Sequence, residues 1–121
     1  MCSSDLVEMA PQRDGQTRLA ELIQSELEAR FSEPLSLAML SHRFGYDKDY
    51  MIRIYRRRYG TTPHQALTRL RMEHSVWLLE NTSLSAKEIA EAVGYGDFPT
   101  FYRAFRKAYE IAPGEYRKKQ P

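Results

Sequence analysis

Residues 35–63 and 84–113 are two copies of one pattern, and this limits the fold more than any other feature. Leu35, Ser36, Leu40, Phe44, Gly45 and Tyr46 match Leu84, Ser85, Ile89, Val93, Gly94 and Tyr95 at an offset of 49. Gly96 is then inserted. Beyond it Asp47, Met51, Arg53, Tyr55, Arg56, Arg57, Tyr59 and Pro63 match Asp97, Phe101, Arg103, Phe105, Arg106, Lys107, Tyr109 and Pro113 at an offset of 50. Any two amphipathic helices share some apolar positions. A shared Gly-Tyr, a shared Asp, a shared Arg-x-aromatic-basic-basic run and a shared closing proline go well beyond that. Two copies are too few for a solenoid, so they predict a pair of subdomains.

Each copy spells a helix, a tight glycine turn and a second helix. In the second copy Ser85 and Glu88 form a capping box, and Ile89, Ala90 and Val93 make an apolar stripe at helical spacing. Gly94 stops that helix, where a left-handed backbone is cheap only for glycine. Asp97 is placed to cap the next helix, and Pro99 is tolerated in its first turn. Phe101, Phe105 and Tyr109 give this helix one buried face, with Arg103, Arg106 and Lys107 off the stripe. In the first copy Ser36 caps a helix over 37–44 that Gly45 ends. Asp47 caps a second helix running to about Tyr59, with Gly60 as its stop. Met51, Tyr55 and Tyr59 form its buried stripe, which leaves Lys48, Asp49, Ile52, Arg53 and Arg56 outward together. Arg53, Arg56, Arg57 and Arg58 are the densest basic cluster in the chain. A short capped helix against a helix with a basic face is the layout of a helix-turn-helix.

Around the repeats, residues 1–16 show no sustained periodicity and hold both Pro11 and Gly15, which predicts a disordered lead or linker remnant. A helix follows over about 17–31, with Leu19, Leu22, Ile23 and Leu27 on its buried face. Thr62 and Pro63 begin a long helix that reaches about Glu80, roughly 27 Å at 1.5 Å per residue. That is the scale for holding two subdomains about one turn of DNA apart, about 34 Å. In the tail Tyr116 is expected to pack, and Arg117, Lys118 and Lys119 to stay solvated or touch phosphate. The expected fold is all-α: a first helix-turn-helix subdomain over 17–61, a linker helix over 62–80, and a second subdomain over 81–117.

Charge is unevenly spread. Residues 1–33 carry three basic and seven acidic side chains, a balance of −4, whereas residues 34–121 carry fifteen basic and nine acidic, a balance of +6. A basic body suits a polyanionic partner, because neutralising phosphates releases condensed counterions. No apolar run approaches the roughly 18 residues of a membrane span, and the N-terminus lacks the pattern of a secretory signal. The single cysteine, Cys2, leaves no internal disulfide and fits a reducing compartment. His42, His64 and His74 have no metal-ligand spacing, and there is no phosphate-binding glycine loop and no nucleophile with an orienting base. An enzyme, a metal site and a cofactor are therefore not expected.

The two copies and their connection resemble the DNA-binding domain of the AraC/XylS family of bacterial transcription regulators over roughly residues 17–117. The second copy, GYGDFPTFYRAFRKAYEIAPGEYR, follows the family pattern of glycine-aromatic, phenylalanine, arginine, phenylalanine-basic and Pro-x-x-Tyr-Arg without a gap. The resemblance implies a cytoplasmic, nucleoid-associated activator of transcription that places one helix from each subdomain in adjacent major grooves of double-stranded DNA. RNA polymerase is then a further expected partner, and no small-molecule site is evident. Base-reading candidates are Asp49, Ile52 and Arg53 in the first copy and Phe98, Pro99, Thr100 and Arg103 in the second. Phosphate candidates are Lys48, Arg56, Arg57, Arg106 and Lys107. Arg71 matches the family's arginine in the long helix, as a structural residue or a phosphate contact. Val76 and Trp77 stand where the family is commonly polar, and would form a partner patch if exposed. Two other readings stay open: the C-terminal DNA-binding part of a larger ligand-sensing regulator, and a helical adaptor that binds protein.

Overall fold

The computed structural model describes residues 11–119, and among them all regular structure is helical. The helices are α1 (Pro11–Arg30), α2 (Leu37–Phe44), α3 (Lys48–Tyr59), α4 (Pro63–Asn81), α5 (Ala86–Ala92), α6 (Phe98–Tyr109) and α7 (Pro113–Lys118). The all-α expectation is met. Helix α1 begins at Pro11, not near Thr17 as the lead's composition suggested. A proline in the first turn loses no hydrogen bond, and Gly15 stands in open space without breaking the helix. Residues 1–10 of the expected lead lie outside the described residues.

The caps are local and follow from the sequence. Ser36 accepts from the Met39 amide, and Gly45 leaves α2 in the left-handed region. The Asp47 carboxylate accepts from the Asp49 and Tyr50 amides at the start of α3. Ser85 and Glu88 complete the capping box of α5, at 3.1 and 2.8 Å. Thr62 and Gln65 form the same reciprocal pair ahead of Pro63, both at 3.1 Å. Asp97 accepts from the Thr100 amide at 3.0 Å, and hydrogen bonds from Thr100 hold its carboxyl below the ordinary value. A depressed carboxyl contributes stability above its unfolded pKa, and loses it as pH falls through the folded value. Below about pH 4, therefore, part of the α6 cap should disappear. Thermal midpoints measured from pH 6 down to 2 should fall less steeply in Asp97→Asn, which caps without titrating.

The chain divides into two compact units: residues up to Ala29 with Ser36–Ala66, and Arg30–Leu35 with Leu67–Pro121. In the first, Leu19, Ala20, Ile23, Leu27, Leu40, Met51, Ile54 and Tyr55 are buried. Leu22, expected inside, is 48% exposed, and Ala20 is buried in its stead. At 100° per residue, Leu19, Ile23 and Leu27 centre on a direction from which Ala20 lies about 60° away and Leu22 about 100°. Tyr55 donates to the Gln24 side chain, joining α3 to α1.

The second unit is built on Met72, Leu78, Leu79, Ile89, Ala90, Val93, Phe101 and Phe105. Two arginines hold its chain crossings by their backbone. Arg71 donates from Nε to the Phe31 carbonyl at 2.7 Å and from Nη2 to the Glu33 carbonyl at 2.9 Å. This draws Arg30–Leu35, which sequence order assigns to the first subdomain, into the second unit. Its guanidinium also lies 5.3 Å from the centre of the Tyr95 ring. Burial pushes the Tyr95 phenol up, against the pull of Arg71, so the ring is neutral where it packs.

Arg117 corrects the expectation for the tail. It donates to the carbonyls of Leu84 at 2.6 Å, Thr82 at 3.0 Å and Leu79 at 3.3 Å, clamping the α4–α5 connection. Tyr116 packs as expected, edge-on to Phe105, and its hydroxyl donates to Glu80 at 2.9 Å. Only Lys118 and Lys119 of the three tail cations are exposed. Arg117→Ala should cost about 2 kcal/mol, because partly buried carbonyls lose charged donors. Urea unfolding of the variant checks this, with Lys118→Ala as a control expected within about 0.5 kcal/mol of the parent.

Candidate nucleic-acid interface

In the first unit α2 packs on α3, and in the second α5 packs on α6. In each pair the second helix buries one side and leaves the other to solvent. Met51, Ile54 and Tyr55 are the buried residues of α3, and Phe101 and Phe105 those of α6. The angle from Asp49 to Arg53 is 40°, and to Arg56 it is −20°, so these three share one outward face. Pro99, Arg103 and Arg106 share the equivalent face of α6.

Asp49, Arg53, Arg56 and Lys48 are exposed, and Ile52 is half-buried beside them. The Arg53 guanidinium lies 5.5 Å from the centre of the Tyr50 ring. The basic cluster of α3 does not act as one group. Arg58 turns back to α1, pairing with Glu21 at 3.8 Å and covering the Tyr59 ring at 4.6 Å. Arg57 also leans towards α1 and donates to Gln16 at 3.0 Å. Among the described residues Arg53 and Arg56 have no carboxylate within ion-pair distance. With Lys48 at its start, they are the cations that α3 offers outward.

On α6, Pro99, Thr100, Arg103, Arg106 and Lys107 are exposed. Phe98 is different. It is half-buried, packs against the second unit's core, and meets Phe101 and Tyr102 at 6.2 and 5.7 Å. It lies three residues before Phe101 and seven before Phe105, which puts it on the buried stripe, and packing accounts for its position. Tyr102, which sequence reasoning passed over, is half-exposed at the position equivalent to Ile52. The repeat itself was the signal for it.

Val76 packs against the second unit's core, whereas Trp77 is 54% exposed. The proposed apolar pair is therefore a single indole, stacked parallel to the His74 ring at 6.1 Å. Arg71, bonded to two backbone carbonyls, is a structural residue. Among the described residues no group of three or more His, Cys, Asp or Glu could hold a metal ion, and no helix is long and apolar enough to cross a membrane.

A family model described as a helix-turn-helix domain matches residues 40–119. The raffinose operon transcriptional regulatory protein RafR of Pediococcus pentosaceus is 30% identical over 102 residues, which are 84% of this chain and 37% of that protein. The chain thus spans about a third of the length of the curated relatives it matches. Among solved structures, the C-terminal domain of AraT, a response regulator from Geobacillus stearothermophilus, superposes with a TM-score of 0.81 at 30% identity, covering 84% of this chain and 85% of that one. The DNA-binding domain of the global transcriptional factor AdpA, solved in complex with a target DNA, gives 0.74 at 27% identity, covering 83% and 89%.

Proposed function

This chain belongs to the AraC/XylS helix-turn-helix family, and we propose that it is a sequence-specific, double-stranded DNA-binding regulator of transcription, acting in the cytoplasm as an activator. The observation that carries the proposal is a pair of exposed arginines, Arg53 and Arg103, at equivalent positions on two equivalent helices. Each can bond bidentately to guanine O6 and N7 in a major groove. Asp49 and Ile52 in α3, and Pro99, Thr100 and Tyr102 in α6, flank them as base-edge contacts. Lys48, Arg56, Arg106 and Lys107 bind phosphate, which sets register and salt dependence without specifying bases. Arg57 joins them only if it releases Gln16. Trp77 is the natural contact for RNA polymerase, since an exposed indole beside a second ring supplies apolar area with a polar edge.

A second reading makes the chain the DNA-binding part of a longer ligand-sensing regulator, and the 37% coverage of RafR favours it. Both readings give the same interface. Selection from a random duplex pool with the purified chain tests it. A bipartite motif, its halves about 10 base pairs apart, is the expected result. Binding without a motif leaves only phosphate contact and the protein-binding adaptor.

A further inference from the structure

We propose that Asp49 is the specificity-determining residue that makes the first half-site unlike the second, by accepting a hydrogen bond from the amino group of a cytosine close to the guanine bound by Arg53. This rests on the DNA-binding reading above. The repeat isolates the residue. Of the outward pairs, Arg53/Arg103, Arg56/Arg106 and Arg57/Lys107 keep their charge, and Ile52/Tyr102 keeps an apolar body. Lys48/Phe98 and Tyr50/Thr100 differ as well, but off the face that carries Arg53 and Arg103. On that face only Asp49/Pro99 changes its chemistry, from a carboxylate to a ring with no hydrogen-bonding group.

The structural role of Asp49 is limited to the modest benefit of a carboxylate in the first turn of α3. The cap of α3 is made by Asp47, whose carboxylate accepts from the Asp49 and Tyr50 amides at 3.0 and 3.4 Å. Asp49 is exposed, and the nearest cation on its face, Arg53, lies over the Tyr50 ring instead of pairing with it. An ionised carboxylate only accepts. Against phosphates it is repelled, and against guanine O6 and N7 or thymine O4 it meets other acceptors. Adenine N6 stands between two acceptors, its own N7 and the O4 of the paired thymine, whereas cytosine N4 has an acceptor, the O6 of its paired guanine, on one side only. Cytosine is therefore the base this position selects. Asp49 and Arg53 are one helical turn apart, about 6 Å of rise, so their bases lie within about two base pairs. Since α6 has nothing comparable, the two halves of the operator differ there, and the protein binds it in one orientation.

Random-duplex selection with the parent chain, Asp49→Asn and Asp49→Ala tests this. The parent should favour cytosine at one position of one half-site by roughly fivefold or more. Asp49→Asn should move that preference to adenine, whose N6 and N7 suit an amide, and Asp49→Ala should abolish it. The other half-site and the Arg53 guanine should stay as they were. Identical motifs from all three proteins would overturn the inference while leaving the DNA-binding reading intact. No motif from any of them, the parent included, would overturn that reading and this inference with it.

Discussion

Gly94→Ala is expected to destabilise the chain by about 3 kcal/mol, and Gly45→Ala by only about 1 kcal/mol, although the two glycines are equivalent in the repeat. Both occupy the left-handed region, at φ of 101° and 77°. The difference is what surrounds them. A Cβ on Gly94 would stand 2.7 Å from the Phe31 carbonyl oxygen, 3.1 Å from Arg71 Nε and 3.1 Å from the Ser32 carbonyl carbon. Around Gly45 there is nothing within 4 Å. That Phe31 oxygen is also the acceptor of the Arg71 hydrogen bond. A methyl group at residue 94 must displace backbone and break a charged contact together, whereas at residue 45 only the backbone preference is lost. Thermal unfolding followed by circular dichroism should show Gly94→Ala melting about 12 °C or more below the parent. Equal losses at the two positions would mean that Phe31–Glu33 does not hold the α5 turn.

Arg53→Ala and Arg103→Ala should each weaken binding to the selected duplex by roughly tenfold to a hundredfold, and should relax the base preference at one guanine each. Both side chains are exposed and neither pairs with a carboxylate among the described residues, so the melting temperature should barely change. Lys107→Ala should behave differently. It should lower affinity for every duplex alike and reduce the slope of log K against log salt by about 1. Arg58→Ala should leave both properties nearly unchanged, because Arg58 is turned towards Glu21. Fluorescence anisotropy titrations against the selected and a shuffled duplex separate these outcomes. If Arg53→Ala weakened both duplexes equally, the arginine would be a phosphate contact and α3 would lack its base reader.

The local features were legible because their causes lie within a few residues. Ser85 with Glu88, Asp97 with Thr100 and the Phe101–Phe105 stripe are set by spacing along one helix. Phe98 was legible in the same way, since it continues that stripe towards the N-terminus, yet its match to the family's base-facing positions drew it into the groove. Leu22 was misplaced because three leucine-type neighbours were read as a face without locating its centre. The partners of Arg117, Arg71 and Arg58 were not legible, although Arg71 was singled out as a structural residue or a phosphate contact. These partners lie 33 to 40 residues away, and those of Arg117 and Arg71 are carbonyl oxygens, which every residue carries and no side chain advertises. Which of the α3 arginines turn back to α1 depends on Gln16 and Glu21, and no periodicity within α3 encodes that.

If two equivalent helices read base sequence, the ratio of specific to non-specific affinity must be large. The purified chain would be titrated with a duplex carrying the selected motif and with a shuffled duplex of the same length, at about 50 and 200 mM salt. Affinity for the motif about a thousandfold or more above that for the shuffled duplex is expected, with both weakening as salt rises. Equal affinity for the two duplexes at both salt concentrations would contradict base reading and reduce the basic faces of α3 and α6 to a grip on phosphate.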